Sequence, residues 1–346
     1  MSKLPPHPYA TQPPRAFWSR AVAKNWSPAD LIVSTELLLR PDDKIVSAGS
    51  CFAANIVPFF ETVGYEYVRT EFVEGGDKYG YGLYSAGYGN IYTPRQLKQL
   101  IERALGRFKP QEDRWHQDDL VIDPFRPGLA DVAGSDDEFD LITQSHLNCT
   151  LSAIRAASVF IFTLGLTESW VSRADGAVFP ACPGTIAGTY DAERHAFVNL
   201  TAADVSSDLS ECIRLLTEIN PTLRIMLTVS PVPLVATATA EHVCRATTYS
   251  KSVLRIACEE VSQAFENVCY FPAYEIVTGP HSEGFFEADR RSVSQQGIQT
   301  VMDALFQHSE LPSAPAGQTL SDRIKMAEQL SRRLSERECE EVASDR

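Results

Sequence analysis

A cysteine stands at a predicted strand-to-helix turn near the start of the chain. The apolar run at residues 44–48 predicts a strand, and the apolar stretch that follows predicts a helix over 52–63. Cys51 falls at the bend between them, where the helix dipole and unpaired backbone N–H groups favour a thiolate and can bind developing negative charge. This position predicts a nucleophile. The alternative is that Cys51 is a small buried hydrophobic residue.

Other residues that could take part in a reaction or bind a ligand follow predicted strands. Because ligands of a parallel α/β sheet bind beyond the carboxyl ends of its strands, four segments are expected to share one edge: 49–51, 165–168, 230–233 and the loop that ends in Asp289. Glu168 is expected there to orient the loop or to bind a substrate hydroxyl. His242 lies at the start of a predicted helix on the same edge, and we interpret it as a base or acid. The alternative is a histidine at a helix end whose hydrogen bonds are satisfied there.

The elements that must position these residues alternate along the chain. Strands separated by long helices indicate βαβ units and a three-layer α/β/α fold with a mostly parallel central sheet. An irregular segment at 110–135 and a small hairpin insertion at 170–200 are predicted between them. The predicted strands are 44–48, 65–68, 157–164, 223–229 and 268–272, and the predicted helices are 52–63, 94–107, 137–156, 202–218, 241–266 and 293–307.

Composition divides the chain into four parts. Residues 1–27 are rich in proline and aromatic residues, which predicts an extended N-terminal arm packed on the body. The α/β domain covers 28–307, and a linker covers 308–318. Residues 319–346 predict a charged helix with a narrow apolar stripe. We expect this helix to dock on its own domain; the alternative is a contact between subunits of a homo-oligomer.

Composition also restricts the function classes. The formal net charge of −14, with dispersed Lys and Arg, argues against a nucleic-acid surface. The sequence predicts neither a signal peptide nor a bilayer-spanning segment, so we expect a cytoplasmic protein with no membrane partner. The eight cysteines are scattered without a C-x-x-C pair, so no disulfide framework, structural metal or other cofactor is expected.

Several motifs occur in the order found in the GSCFA family, which the sequence resembles over about residues 15–307. The resemblance implies a fold similar to the SGNH or GDSL hydrolases, whose conserved blocks carry a nucleophile, a glycine, an asparagine, and an Asp and His pair. The motifs that carry the resemblance are Phe17-Trp18, the segment 48–53, Asn90-Ile91-Tyr92-Thr93, the segment 162–168, Pro183-Gly184-Thr185, the segment 227–234, Tyr249-Ser250-Lys251-Ser252 and Tyr270-Phe271-Pro272.

The resemblance also implies roles for individual residues. Cys51 would take the place of the nucleophilic serine, and Gly89 with Asn90 would form the second block. Thr167 would stand where the superfamily has its oxyanion-hole asparagine. These residues are therefore expected to bind the oxyanion or the substrate.

The fourth block departs from the family pattern. An Asp-x-x-His element would start at Asp289, but the histidine position holds Ser292. Serine does not take up a proton near neutral pH, and the ordinary pKa of Asp289 is too low for an efficient base. Asp289 is a candidate catalytic residue that would need the help of another group; the alternative is that it anchors the N-terminus of the helix predicted at 293–307. His281, in the loop before Asp289, is the histidine closest in sequence to the vacant position and is a further candidate for the site. Lys251 we interpret as part of a solvated helix face, or as a contact for an anionic group.

The leading functional hypothesis is an acyl-transfer enzyme, either an esterase or thioesterase or an O-acyltransferase. Its Cys51 thiolate would attack the carbonyl of a small-molecule or carbohydrate acyl substrate. The alternative, which rests on Ser292, is a non-catalytic binding or structural protein on a degenerate SGNH-like scaffold.

Overall fold

A computed structural model describes residues 7–33, 38–72, 81–129, 132–313, 320–335 and 345. The predicted arm, linker and C-terminal helix each lie partly outside the described residues. The helices are α1 (Trp18–Ala21), α2 (Cys51–Val63), α3 (Pro94–Ala104), α4 (Asp136–Ala156), α5 (Ala202–Ile219), α6 (Val243–Ala264), α7 (Ala273–Thr278), α8 (Gln295–Gln307) and α9 (Leu320–Ser335). The strands are β1 (Lys44–Gly49), β2 (Glu66–Tyr67), β3 (Trp115–Gln117), β4 (Leu120–Ile122), β5 (Val159–Leu164), β6 (Glu168–Ser172), β7 (Val178–Phe179), β8 (His195–Asn199), β9 (Arg224–Val229) and β10 (Val268–Tyr270).

The central sheet is parallel and has the strand order β2-β1-β5-β9-β10. Side chains alternate between its faces, as the period of two in a strand requires. Along β1, Val46 and Ala48 pack against α3, α5, α6 and the end of α4, whereas Ile45 packs against α2, α7 and α8. Helices therefore cover both faces, and the predicted three-layer α/β/α fold is confirmed.

The strand order reverses direction beside β1. The chain passes from β1 to β2 on one side and then crosses to β5, β9 and β10 on the other side. At such a switch point the loops beyond the two central strands diverge and leave a crevice at the carboxyl edge of the sheet. The crevice of this fold therefore lies beyond the carboxyl ends of β1 and β5.

Two small sheets lie outside the central one. Strands β3 and β4 form a hairpin in the segment predicted as irregular, and β7, β6 and β8 form a three-stranded antiparallel sheet. The insertion therefore contains three strands instead of the two of the predicted hairpin. Its first strand, β6, starts at Glu168, only four residues after β5 ends. In the described part of the chain, no helix has the length and apolarity needed to cross a bilayer.

The last described helix packs along α2. Arg323 donates a hydrogen bond from Nη1 to the carbonyl of Val63 at 2.6 Å, and Ser331 donates one to the carbonyl of Asn55 at 2.9 Å. Ala327 is fully buried between them. Helix α9 thus covers the outer face of the helix that begins at Cys51.

A buried charge network holds the loop that leads from α2 toward α3. Arg126, which is 2% exposed, contacts Glu71 at 3.3 Å. The other oxygen of Glu71 contacts His146 Nδ1 at 2.6 Å and accepts the N–H of Gly87 at 2.7 Å. Burial raises the pKa of Glu71, but His146, Arg126 and the N–H of Gly87 outweigh it and hold the pKa at about 2.

We expect Glu71→Gln to lower the free energy of unfolding by roughly 3 kcal/mol at neutral pH. Because the folded pKa lies below the ordinary value of 4.5, the stability from this carboxylate is complete above pH 4.5 and is lost as the pH falls toward 2. Urea unfolding at neutral and acidic pH should therefore show the gap between wild type and variant narrowing in acid. Exposed Glu66 offers the control Glu66→Gln; a gap that stays constant with pH would contradict the prediction.

Candidate active site

The turn after β1 brings Cys51 to the carboxyl edge of the central sheet. Gly49 ends the strand with φ +149°, and Ser50 is extended. Cys51 is then the first residue of α2, one residue earlier than the predicted start of the helix. Its side chain is partly exposed. The predicted strand, turn and helix are confirmed, so the thiol lies at the positive end of the helix dipole.

Cys51 lines a small pocket that draws on three of the chain segments expected at this edge. Ser50 and Cys51 contribute one wall, Gly165 and Leu166 another, and the segment 230–234 contributes a third. The Ser50 hydroxyl is buried, and no hydrogen-bond partner for it lies among the described residues. A buried hydroxyl without a partner in the wall of a pocket is a group that a ligand can satisfy.

A larger cavity of about 310 Å³ adjoins this pocket. Tyr92, Leu166 and Leu234 line both spaces and form the boundary between them. The far wall comes from the three-stranded sheet and includes Trp170 and Phe197. The cavity is large enough for a small ligand group. It therefore offers binding space directly beside the cysteine.

Glu168 and Thr167 lie where β5 passes into β6. The Glu168 carboxylate lines the larger cavity and accepts hydrogen bonds from the Thr237 hydroxyl at 2.6 Å and the Ala238 N–H at 3.1 Å. Thr167 is fully buried, and its hydroxyl donates to Asn199 Oδ1 at 2.7 Å. Glu168 thus holds the loop across the cavity, which is one of the roles expected for it, whereas the Thr167 hydroxyl is engaged within the insertion.

Gly89 and Asn90 lie beside the Cys51 turn. Gly89 has φ +66°, and a Cβ there would lie 2.5 Å from the ring of Tyr81. Asn90 is buried, and its Oδ1 accepts the Tyr84 hydroxyl at 2.8 Å. The next residue is bonded through its backbone N–H to the carbonyl of Gly49. The structure thus brings the predicted second block next to the Cys51 turn; its role in oxyanion binding stays a prediction.

The segment predicted as the fourth block folds back on itself. Asp289 accepts the N–H groups of Arg291 and Ser292 at 2.9 Å and the Ser292 hydroxyl at 2.6 Å. Burial raises the pKa of Asp289, but these hydrogen bonds and the Arg291 charge lower it below its ordinary value. Arg291 donates from Nε to the carbonyl of Pro233 at 3.1 Å, and Pro233 lines the Cys51 pocket. This segment therefore meets the pocket through Arg291.

The two candidate histidines are exposed and have local contacts. His242 is the N-cap of α6, and its Nδ1 accepts the N–H of Cys244 at 3.1 Å. His281 donates from Nε2 to the carbonyl of Val22 at 3.0 Å and stacks on Trp26 with ring centroids 5.4 Å apart. His281 thus ties the N-terminal arm to the loop. Catalytic roles for both histidines stay predictions.

Lys251 is the residue whose environment the sequence interpretation missed. The predicted solvated helix face is wrong for Lys251, which is 1% exposed. Its Nζ donates a hydrogen bond to the carbonyl of Gly165 at 2.5 Å, in the wall of the Cys51 pocket. Burial lowers the pKa of Lys251 to about 7; the Cys51 charge acts in the opposite direction, and the Arg291 charge lowers the pKa further.

A signal for this burial is present in the sequence of α6. The buried apolar residues of the helix recur at 246, 253, 254, 257, 258 and 261. With 3.6 residues per turn, positions 250 and 251 fall on the same face. Ser250 is indeed buried and accepts the N–H of Thr167 at 3.0 Å. The helical period of the apolar residues therefore indicates that Ser250 and Lys251 are buried.

Comparison with known proteins gives a family match and a distant match to a solved structure. The model of the GSCFA family matches residues 44–305. A solved structure described as "a putative platelet activating factor from Streptococcus pneumonia" is 14% identical, with a TM-score of 0.28. The match covers 44% of this chain and 60% of that chain, less than two thirds of its length. No match was found among curated proteins.

Proposed function

This chain belongs to the GSCFA family, and from that premise we propose that it is an acyl-transfer enzyme on an SGNH-like hydrolase fold with Cys51 as nucleophile. One observation carries the proposal: Cys51 begins α2 at the switch point of the sheet, beside a cavity of about 310 Å³. Nucleophile, positive helix end and binding space thus coincide at the edge where ligands of such sheets bind. We assign this activity to the cytoplasm on the basis of the sequence.

The reaction begins with attack of the Cys51 sulfur on the carbonyl carbon of an ester or thioester. The carbonyl electron pair moves to oxygen, and the positive end of α2 stabilises the oxyanion that forms. Collapse of this intermediate expels the alcohol or thiol and leaves the acyl group on Cys51 as a thioester. Water or a hydroxyl of an acceptor then attacks the thioester and restores the thiol.

The lining of the larger cavity supports a small-molecule or carbohydrate substrate. Trp170 and Phe197 supply flat apolar surfaces on which a sugar ring or an acyl chain can pack. Glu168 presents a carboxylate that can accept a hydrogen bond from a substrate hydroxyl. The same residues serve hydrolysis and O-acyl transfer, because the two reactions differ only in the acceptor that enters the cavity.

Trapping of the acyl-enzyme tests the proposal. Wild-type protein mixed with p-nitrophenyl acetate and quenched in acid should gain the mass of one acetyl group, and peptide mapping should place it on Cys51. Release of p-nitrophenolate should show an initial burst of one equivalent per chain. Cys244→Ala, which removes an exposed thiol, is the control and should acylate normally. Turnover without acylation of Cys51 would refute the proposed nucleophile.

The alternative of a non-catalytic binding protein has one observation in its favour. Ser292, in the position of the expected histidine, closes a local hydrogen-bonded turn with Asp289. A pair engaged in this way supplies no base to the cysteine. The same trapping experiment separates the two functions, because a binding protein would neither acquire an acetyl group on Cys51 nor turn over any ester.

A further inference from the structure

A lysine inside the fold faces the pocket of the proposed nucleophile. Lys251 lies on α6, and its Nζ reaches the carbonyl of Gly165, just beyond the end of β5. Gly165 lies against the Cys51 turn, since a Cβ on it would be 3.3 Å from the Cβ of Ser50. The amine is therefore bonded to a residue in the wall of the pocket that Cys51 and Gly165 share.

The charges around Lys251 are unusual for a buried lysine. Buried lysines are normally paired with a carboxylate, because an isolated ammonium is costly to bury. Among the described residues, the charged groups that act on Lys251 are Cys51, which favours its protonated form, and Arg291, which opposes it. The acidic group whose charge favours the ammonium form of Lys251 is therefore the Cys51 thiol and not a carboxylate.

We propose that Lys251 is the base that accepts the proton of Cys51, in place of the histidine absent from position 292. This inference rests on the proposed function, because it assigns the proton transfer that the acyl-transfer reaction requires. The carbonyl of Gly165 fixes the position of Nζ, and the Arg291 guanidinium favours the neutral amine. With a pKa of about 7, the amine is available to accept a proton near neutral pH.

The proton balance of the reaction follows from this assignment. Neutral Lys251 takes the proton from Cys51 Sγ as the bond from sulfur to the carbonyl carbon forms. The resulting ammonium then gives this proton to the leaving alcohol or thiol, which departs with the electron pair of the broken bond. In the second half, Lys251 takes the proton of the attacking water or hydroxyl and returns it to Cys51 as the thioester breaks.

The test is the pH dependence of Cys51 alkylation by iodoacetamide in wild type and in Lys251→Met. Wild-type Cys51 should be alkylated with a midpoint near pH 7, where the pair of Cys51 and Lys251 loses its first proton. In Lys251→Met the midpoint should rise to that of an unassisted thiol, about 8.5 or above, and the rate at pH 7 should fall roughly 10-fold or more. Exposed Lys109 provides the matched control Lys109→Met, which should keep the wild-type profile.

Two further measurements keep the outcomes distinct. Methionine has a similar length and removes a buried charge, so Lys251→Met should fold; Lys251→Gln, a second uncharged variant, serves if it does not. An unchanged midpoint in a folded variant would overturn the role of Lys251 and leave Cys51 as nucleophile. If wild-type Cys51 were alkylated no faster than exposed Cys244, both the inference and the proposed function would be overturned.

Discussion

Cys51→Ala is expected to lower the rate of p-nitrophenyl acetate turnover by roughly 10³-fold or more. Alanine removes the sulfur that would form the acyl-enzyme, and a water molecule that attacked the ester in its place would be a weaker nucleophile at neutral pH. The side chain is only partly buried, so the unfolding transition should stay close to that of wild type. Initial rates and urea unfolding of the same preparation measure both quantities.

Two further variants serve as controls for Cys51→Ala. Cys244→Ala changes an exposed cysteine and should retain full turnover. Cys51→Ser keeps a nucleophilic atom in place, but a hydroxyl loses its proton far less readily than a thiol, so its rate should fall between those of wild type and Cys51→Ala. Retention of wild-type turnover in Cys51→Ala would exclude Cys51 as the nucleophile.

Gly49→Ala should cause the largest loss of stability that we expect from a single substitution, roughly 3–5 kcal/mol. The backbone at Gly49 has φ +149°, a conformation that residues with a side chain rarely adopt. A Cβ would also lie 2.5 Å from the backbone carbonyl oxygen of Thr163 on β5, which cannot move without disrupting the sheet. Strain and overlap therefore add at the residue that places Cys51.

Gly106→Ala separates these two causes. Gly106 also has a positive φ, +71°, but no atom lies within 4 Å of the position that a Cβ would take. Its substitution should cost about 1 kcal/mol through strain alone. Urea unfolding of both variants gives the comparison. Equal losses at the two positions would show that overlap with Thr163 contributes nothing to the need for glycine at position 49.

Local signals account for the elements that the sequence predicted well. Thr93 followed by Pro94 is a typical start of a helix, and in the structure Thr93 accepts the N–H of Gln96 while Pro94 is the first residue of α3. The apolar runs that predicted β1, β5 and β9 are strands buried on both faces. These features depend on neighbouring residues in the chain, so the sequence carries them directly.

The structure differs from the sequence-based predictions mainly where contacts between residues distant in the chain determine the local structure. Helix α7 (Ala273–Thr278) has six residues, too few for a helical period to show in the sequence, and it was predicted as loop. Strand β6 forms because β7 and β8 pair with it from far along the chain. The helical period of α6 indicates that Lys251 is buried, but its hydrogen bond to Gly165 joins residues 86 positions apart, which no local pattern shows.

The packing of α9 on α2 also bears on the order of folding during synthesis. Domains fold as the chain emerges, beginning from the N-terminal side. Helix α2 is synthesised early. Arg323 and Ser331, which bond its carbonyl groups, belong to α9 and are added after every other described helix and strand. The nascent protein therefore carries α2 with its outer face incompletely covered until the last described helix docks.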